Sequence, residues 1–187
     1  MLTIETTILV LIDVQEKLAA VMDEREALFA NLVKLVRAMQ ALGVPIVRLE
    51  QNPRRMGPTI APLQALLTDV PPIPKMSFSC CGDDAFRQAL QTAGRRQVLI
   101  AGIETHVCVY QTTVDLIREG YAAEVVVDAV ASRRAADKAI GLAKIRACGS
   151  HSVGSGQGHL TSVETAIFEL MRTAEHPAFR TILNIVK

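Results

Sequence analysis

The sequence predicts an α/β fold: one Rossmann-like, three-layer domain over residues 1–187, with helices on both faces of a doubly wound, mostly parallel sheet. Three observations predict it. Short β-branched runs alternate along the chain with longer segments of helical period. Three of those runs are almost continuously apolar, the pattern of parallel strands covered on both faces. Four helical segments end on a glycine, and three of these lead straight into a strand, which makes a βαβ series with right-handed crossovers. Hydrophobic residues are 50% of the 187 and charged residues 21%, so a large core can form and a folded rather than a disordered chain is expected.

The elements follow in order. Thr6–Ile12 (TTILVLI) reads as the first strand. Glu26–Leu42 places Leu28, Leu32, Leu35, Val36 and Met39 on one stripe of a helix, and Gly43 closes it. Val44–Leu49 (VPIVRL) is the second strand. Gln51–Pro74 holds six of the eight prolines and reads as a long excursion from its carboxyl end, an active-site wall. Helix Asp84–Ala93 ends at Gly94, strand Gln97–Ile103 (QVLIAGI) follows, and helix Cys108–Glu119 ends at Gly120. Strand Glu124–Val127 (EVVV) leads to helix Arg134–Cys148, ended by Gly149. Gly149–Gly158 (GSHSVGSGQG) has the composition of a flexible surface loop, and Ser150–Gly158 is expected to be dispensable on the amino-terminal side of the sheet. A short strand around His159–Thr161 precedes helix Val163–Thr173, with Thr161 and Glu164 as a capping box. The last helix, Phe179–Val186, carries Phe179, Ile182, Leu183 and Val186 on a stripe that covers either its own core or a partner's.

Composition excludes several function classes. Lys+Arg 20 against Asp+Glu 19 gives a net charge of +1, without the basic face of a nucleic-acid binder. No apolar run reaches the roughly 18 to 20 residues that span a bilayer, and MLTIETTILVLID lacks the basic flank of a signal peptide. Cys80, Cys81, Cys108 and Cys148 are therefore expected to be reduced thiols in a cytoplasmic protein. Adjacent Cys80 and Cys81 do not make a zinc set, and no G-x-G-x-x-G or P-loop is present, so no cofactor is expected.

Ligands of open α/β sheets sit outside the strand carboxyl ends, and three reactive residues fall there. Asp13 directly follows the first strand, as a catalytic carboxylate or a helix N-cap. Lys75, in IPKMSFS, ends the proline-rich excursion, as a site cation or a surface charge. Cys108, in GIETHVCVYQTT, starts a helix whose positive end favours thiolate; the alternative is a small buried hydrophobe. Gly102 and Thr105 suit a tight polar turn before it. His106 contacts substrate or faces solvent, whereas His151, His159 and His176 assemble no site. Cys148 is assigned to packing, and Cys80 with Cys81 to packing or thiol redox chemistry.

LIDVQE around Asp13, PKMSFS around Lys75 and AGIETHVCVYQT around Cys108 resemble the isochorismatase-like cysteine hydrolases, and the likeness runs nearly end to end. EQNPRRMGPTI at 50–60 and HPAFRTILNIVK at 176–187 look like the isochorismatase domain-containing proteins of that superfamily. The resemblance implies a parallel six-stranded sheet and an Asp–Lys–Cys triad, carried over to Asp13, Lys75 and Cys108. It also implies a cis peptide joining Ile103 to Glu104, so that the N–H groups of Glu104 and Cys108 converge as an oxyanion hole. Gln15, Gln51, Phe78 and His106 are the substrate-binding residues it suggests.

Three departures refine this. Nicotinamidases of the superfamily hold a metal with an Asp and two His after the second strand; Glu50, Gln51 and Asn52 stand here, so no catalytic metal is expected. Members that hydrolyse isochorismate tend to lack the cysteine, so Cys108 argues against that substrate. The family passes from a helix-ending glycine almost straight into its last strand, whereas SVGSGQ intervenes here. The expected function is hydrolysis of a small-molecule amide through a thioester on Cys108, in a homo-oligomer with a partner near the site. Its rivals are a catalytically silent binding or scaffold protein and a thiol-redox protein using Cys80 and Cys81.

Overall fold

The two-residue period of a strand decides what each side chain meets. In β1 (Thr7–Ile12), Ile8, Val10 and Ile12 enter one hydrophobic core, and Leu9 and Leu11 enter the opposite one. The computed structural model describes residues 1–149 and 158–187. In it β2 (Ile46–Gln51), β3 (Ile73–Lys75), β4 (Gln97–Ile103), β5 (Ala122–Ala131) and β6 (Gly158–Thr161) complete one sheet with β1. The order is β3-β2-β1-β4-β5-β6, and every neighbouring pair is parallel. This is the six-stranded α/β architecture predicted above.

Helices cover both faces. One carries α1 (Glu16–Ala19), α2 (Arg25–Ala41), α4 (Ala61–Leu66), α8 (Val163–Met171) and α9 (Phe179–Val186); α3 (Pro53–Met56) stands outside the cores. The other face carries α5 (Asp84–Ala93), α6 (Tyr110–Arg118) and α7 (Ala135–Gly149). In α2 the predicted stripe of Leu28, Leu32, Leu35, Val36 and Met39 is buried. Each such leucine contributes about 1.5–3 kcal/mol by leaving water. In α9, Ile182 is buried and Phe179, Ile185 and Val186 pack on the same core, so this helix covers its own chain.

Several boundaries differ from the sequence reading, each for a local reason. The proline-rich excursion contains α3, α4 and the edge strand β3, where Pro74 is tolerated because an edge strand need not donate on both sides. Strand β5 runs through Asp128, a residue that reads as a strand breaker; its carboxylate accepts the backbone N–H of Val163 at 2.9 Å. Ser162, not Thr161, caps α8, accepting from the Thr165 N–H at 3.2 Å. The helix expected from Cys108 is preceded by a π-helical turn, Thr105–Val109, with the cysteine inside it. The expected dispensable loop, Ser150–Gly158, lies outside the described residues except for Gly158.

At the centre of the sheet Gly102 has φ +121°, and a Cβ there would lie 2.1 Å from the Ile12 carbonyl oxygen. Beside it the β4–β5 register shifts between Ile100 and Gly102. Only glycine lets β1 and β4 approach this closely at their carboxyl ends.

Candidate active site

The sheet reverses its winding between β1 and β4, and the crevice outside their carboxyl ends is where open α/β sheets take ligands. Asp13 is the residue after β1 and has φ 54°, a left-handed conformation that aspartate bears more readily than most residues. Cys108 follows β4 in the π-helical turn, a feature common at functional sites. Lys75 is the last residue of β3 and reaches the crevice across β2. Topology thus brings together three residues separated widely in sequence.

Lys75 is at the centre of the cluster. Its Nζ lies 2.7 Å from Asp13 Oδ2, 2.8 Å from Gln51 Oε1 and 3.7 Å from Cys108 Sγ. The carbonyl oxygens of Ser77 and Phe78 lie at 3.1 and 3.2 Å. The side chains of Lys75 and Asp13 are 0% and 1% exposed, so this is a buried ion pair. The loop lysine suggested by sequence is instead a fully enclosed strand residue, and the N-cap alternative for Asp13 is replaced by this pair.

Burial and charge divide the protonation states. Burial raises the Asp13 pKa above its ordinary 3.8, outweighing the Lys75 ammonium that opposes it. Burial also works to lower Lys75, but the Asp13 carboxylate, with Cys80 and Cys108, carries the net shift upward. Lys75 stays charged, because its ammonium is surrounded by acceptors. A carboxyl pKa raised above the ordinary carboxylate range makes Asp13 a better proton acceptor than an exposed aspartate.

Cys108 corrects the sequence expectation of a depressed thiol pKa. Its pKa is pushed up to about 12, first by burial and then by the Asp13 charge, with Lys75 opposing. The helix-end argument fails because the thiol sits inside a buried turn, where desolvation exceeds any dipole effect. The resting group is therefore a thiol beside a base. Asp13 Oδ1 is buried without a hydrogen-bond partner, which leaves an acceptor for that proton. Alkylation of Cys108 by iodoacetamide is accordingly expected to keep rising with pH beyond the ordinary thiol midpoint of about 8.5. A plateau below that midpoint would contradict this reading of the site.

The other predicted site residues divide into two groups. Gln51 bridges the site and its wall, accepting from Lys75 and donating to the Met76 carbonyl at 2.9 Å. Phe78 is exposed, and a cleft of about 730 Å³ near Lys75, bounded by Asn52, Arg54, Met76 and Asp83, is lined by neither Asp13 nor Cys108. His106 is half-buried with Nδ1 3.0 Å from Ser132 Oγ. Gln15 departs from its expected place at the substrate: it is fully buried and its side chain is fully engaged. It donates to the carbonyls of Gln51 and Gly57 and accepts from the Gln51 N–H at 2.7 Å, tying the excursion to β2. The Ile103–Glu104 peptide is cis, at the position the resemblance indicates.

At the place where a metal set would stand, Glu50 Oε1 accepts from the Thr59 N–H and hydroxyl at 2.8 and 2.7 Å, and Asn52 adopts a left-handed turn. Among the described residues, no group of three or more His, Cys, Asp or Glu could hold a metal ion. Cys80 and Cys81 are buried and free, and burial raises both thiols. The sequence reading missed the carbonyls of Ser77 and Phe78, because backbone acceptors leave no residue signature.

Comparison with known proteins agrees with this fold. The isochorismatase domain family matches residues 7–157. The "Secreted isochorismatase effector Isc1" of Phytophthora sojae is 34% identical over 186 residues, covering 97% of this chain and 85% of that protein. "Isochorismatase domain-containing protein 2A" of Mus musculus is 34% identical over 184 residues, covering 98% and 84%. The solved structure titled "Structure of MAR1 Ribonuclease from Caenorhabditis elegans" superposes with a TM-score of 0.90 at 30% identity, covering 99% of this chain and 91% of that one. No helix among the described residues is long and apolar enough to cross a membrane. With a family match across most of its length and a relative 34% identical over nearly all of it, this chain belongs to the isochorismatase domain family.

Proposed function

We propose that the protein hydrolyses a C–N bond of a small amide through a thioester on Cys108. The observation that carries this reading is the buried Lys75 ammonium, bonded to Asp13 Oδ2 at 2.7 Å and 3.7 Å from the Cys108 sulfur. One cation thus orders a base and a nucleophile in a site closed to bulk water.

The steps follow from the protonation states. Asp13 takes the Cys108 proton as the sulfur attacks the amide carbon, so no free thiolate is needed at rest. Lys75 stabilises the charge that moves between sulfur and carboxylate. The backbone N–H groups of Glu104 and Cys108 would hold the tetrahedral oxyanion. Asp13 then protonates the leaving amine and afterwards takes a proton from the water that hydrolyses the thioester.

A panel of small amides, assayed with the wild type and with Cys108→Ala, tests the reading. Turnover of at least one amide is expected, with a loss of about a thousandfold or more in the variant. The melting temperature should stay close to the parent, since alanine fits where the thiol packs. Single-stranded RNA belongs in the same panel, because structural relatives bear the name ribonuclease. RNA cleavage that survives Cys108→Ala, with no amide turned over, would overturn the proposal. Met76 and Phe78 are exposed beside the site and support self-association at its mouth. Light scattering at micromolar concentration should then give a dimer or larger; a monomer would contradict it.

A further inference from the structure

Gly141 stands in the interior of α7, where no left-handed conformation calls for glycine. A helix-interior glycine is less favourable than alanine, so its presence points to a close approach. A Cβ at position 141 would lie 2.9 Å from both His106 Cα and His106 N, and 3.0 Å from the carbonyl carbon of Thr105. These are backbone atoms and cannot rotate aside. They belong to the π-helical turn that carries Cys108.

The same turn is fastened to the segment between β5 and α7 by side chains. Ser132 is fully buried, with its Oγ 3.0 Å from His106 Nδ1. The N–H and Nε of Arg133 donate to Glu104 Oε2 at 3.1 and 3.2 Å, at the entrance of the turn. Inside the turn, the N–H groups of Val107 and Val109 both donate to the Glu104 carbonyl, at 3.1 and 3.2 Å. A push on His106 is therefore carried to the residue between them, Cys108.

We propose that Ser132, Arg133 and Gly141 form a clamp that sets the Cys108 sulfur against Lys75 and Asp13, with Gly141 as its principal positioning residue. The clamp acts on the turn and touches no substrate. It rests on the reading of Cys108 as the nucleophile, and its test needs no substrate.

The test is the pH profile of Cys108 alkylation by iodoacetamide in the full chain, read by peptide mass spectrometry. Gly141→Ala is expected to change the Cys108 rate about tenfold and to move its profile, since misplacing a reacting group by about 1 Å can change rates up to about a hundredfold. Ala143→Gly, at an exposed position of the same helix, weakens α7 without pressing on the turn and should leave the profile unmoved. If Gly141→Ala does not fold, Ser132→Ala decides the matter: it adds no atom and should shift the rate about threefold. An unmoved profile in the folded Gly141→Ala, or an equal shift in Ala143→Gly, would overturn the clamp. Failure of the nucleophile reading shows differently, as turnover that persists in Cys108→Ala.

Discussion

Lys75→Met is expected to abolish turnover and to cost about 3–5 kcal/mol of stability at neutral pH, because it leaves the Asp13 carboxylate buried without its cation. The penalty should depend on pH in a defined direction. Burial already raises Asp13 above its ordinary value of 3.8, and losing Lys75 raises it further. Between the unfolded and folded pKa values the native state then binds more protons than the unfolded state, so stability falls as pH rises through that window. At pH below the unfolded value Asp13 is neutral in both states, and most of the penalty disappears. Urea unfolding of wild type and variant at acidic and neutral pH measures this. The double variant Lys75→Met/Asp13→Asn should recover much of the loss, because it removes the orphaned charge. A single variant as stable as wild type at pH 7 would show that the pair is not buried as described.

Gly102→Ala should exceed about 4 kcal/mol, the exceptional end of single-substitution effects. The added methyl would meet Ile12 O at 2.1 Å and Ile12 N at 2.7 Å, with φ already at +121°. β1 and β4 would have to separate at the ends that present Asp13 and Cys108. Gly94→Ala supplies the contrast: its φ is +63° but nothing lies within 4 Å of the new Cβ. Conformation alone then acts, and the loss should be about 1 kcal/mol. Chemical denaturation of both variants separates crowding from backbone strain. A Gly102→Ala loss no larger than that of Gly94→Ala would remove the close approach from the explanation.

Elements were legible in the sequence where one signal dominated. Helix α5 and strand β4 have the bounds read from sequence, because Asp83 caps α5, Gly94 ends it, and an unbroken apolar run follows. Strand β3 has three residues with a proline in the middle, too short for any period to show. The candidate triad was legible through its three motifs and their places at strand ends. The state of Cys108 was not, since the sequence reveals a helix terminus but not the burial that opposes thiolate. Gln15 was misplaced for a related reason: a polar residue beside a site looks like a ligand until its hydrogen bonds are known. Gly141 shows the limit most clearly, because a glycine within a helix only looks like a weakness until the backbone packed against it is seen.

The most direct test of the account is whether an acyl group passes through Cys108. Turnover of an amide from the panel would be quenched in acid within the first catalytic cycle and the protein analysed by intact and peptide mass spectrometry. The expected result is a transient mass increase equal to the acyl part of the substrate, mapped to Cys108 and absent from Cys108→Ala. Asp13→Asn should show little of this adduct, because no base remains to take the thiol proton. Steady turnover with no acyl adduct on Cys108, or the same adduct at Cys148, would contradict the mechanism.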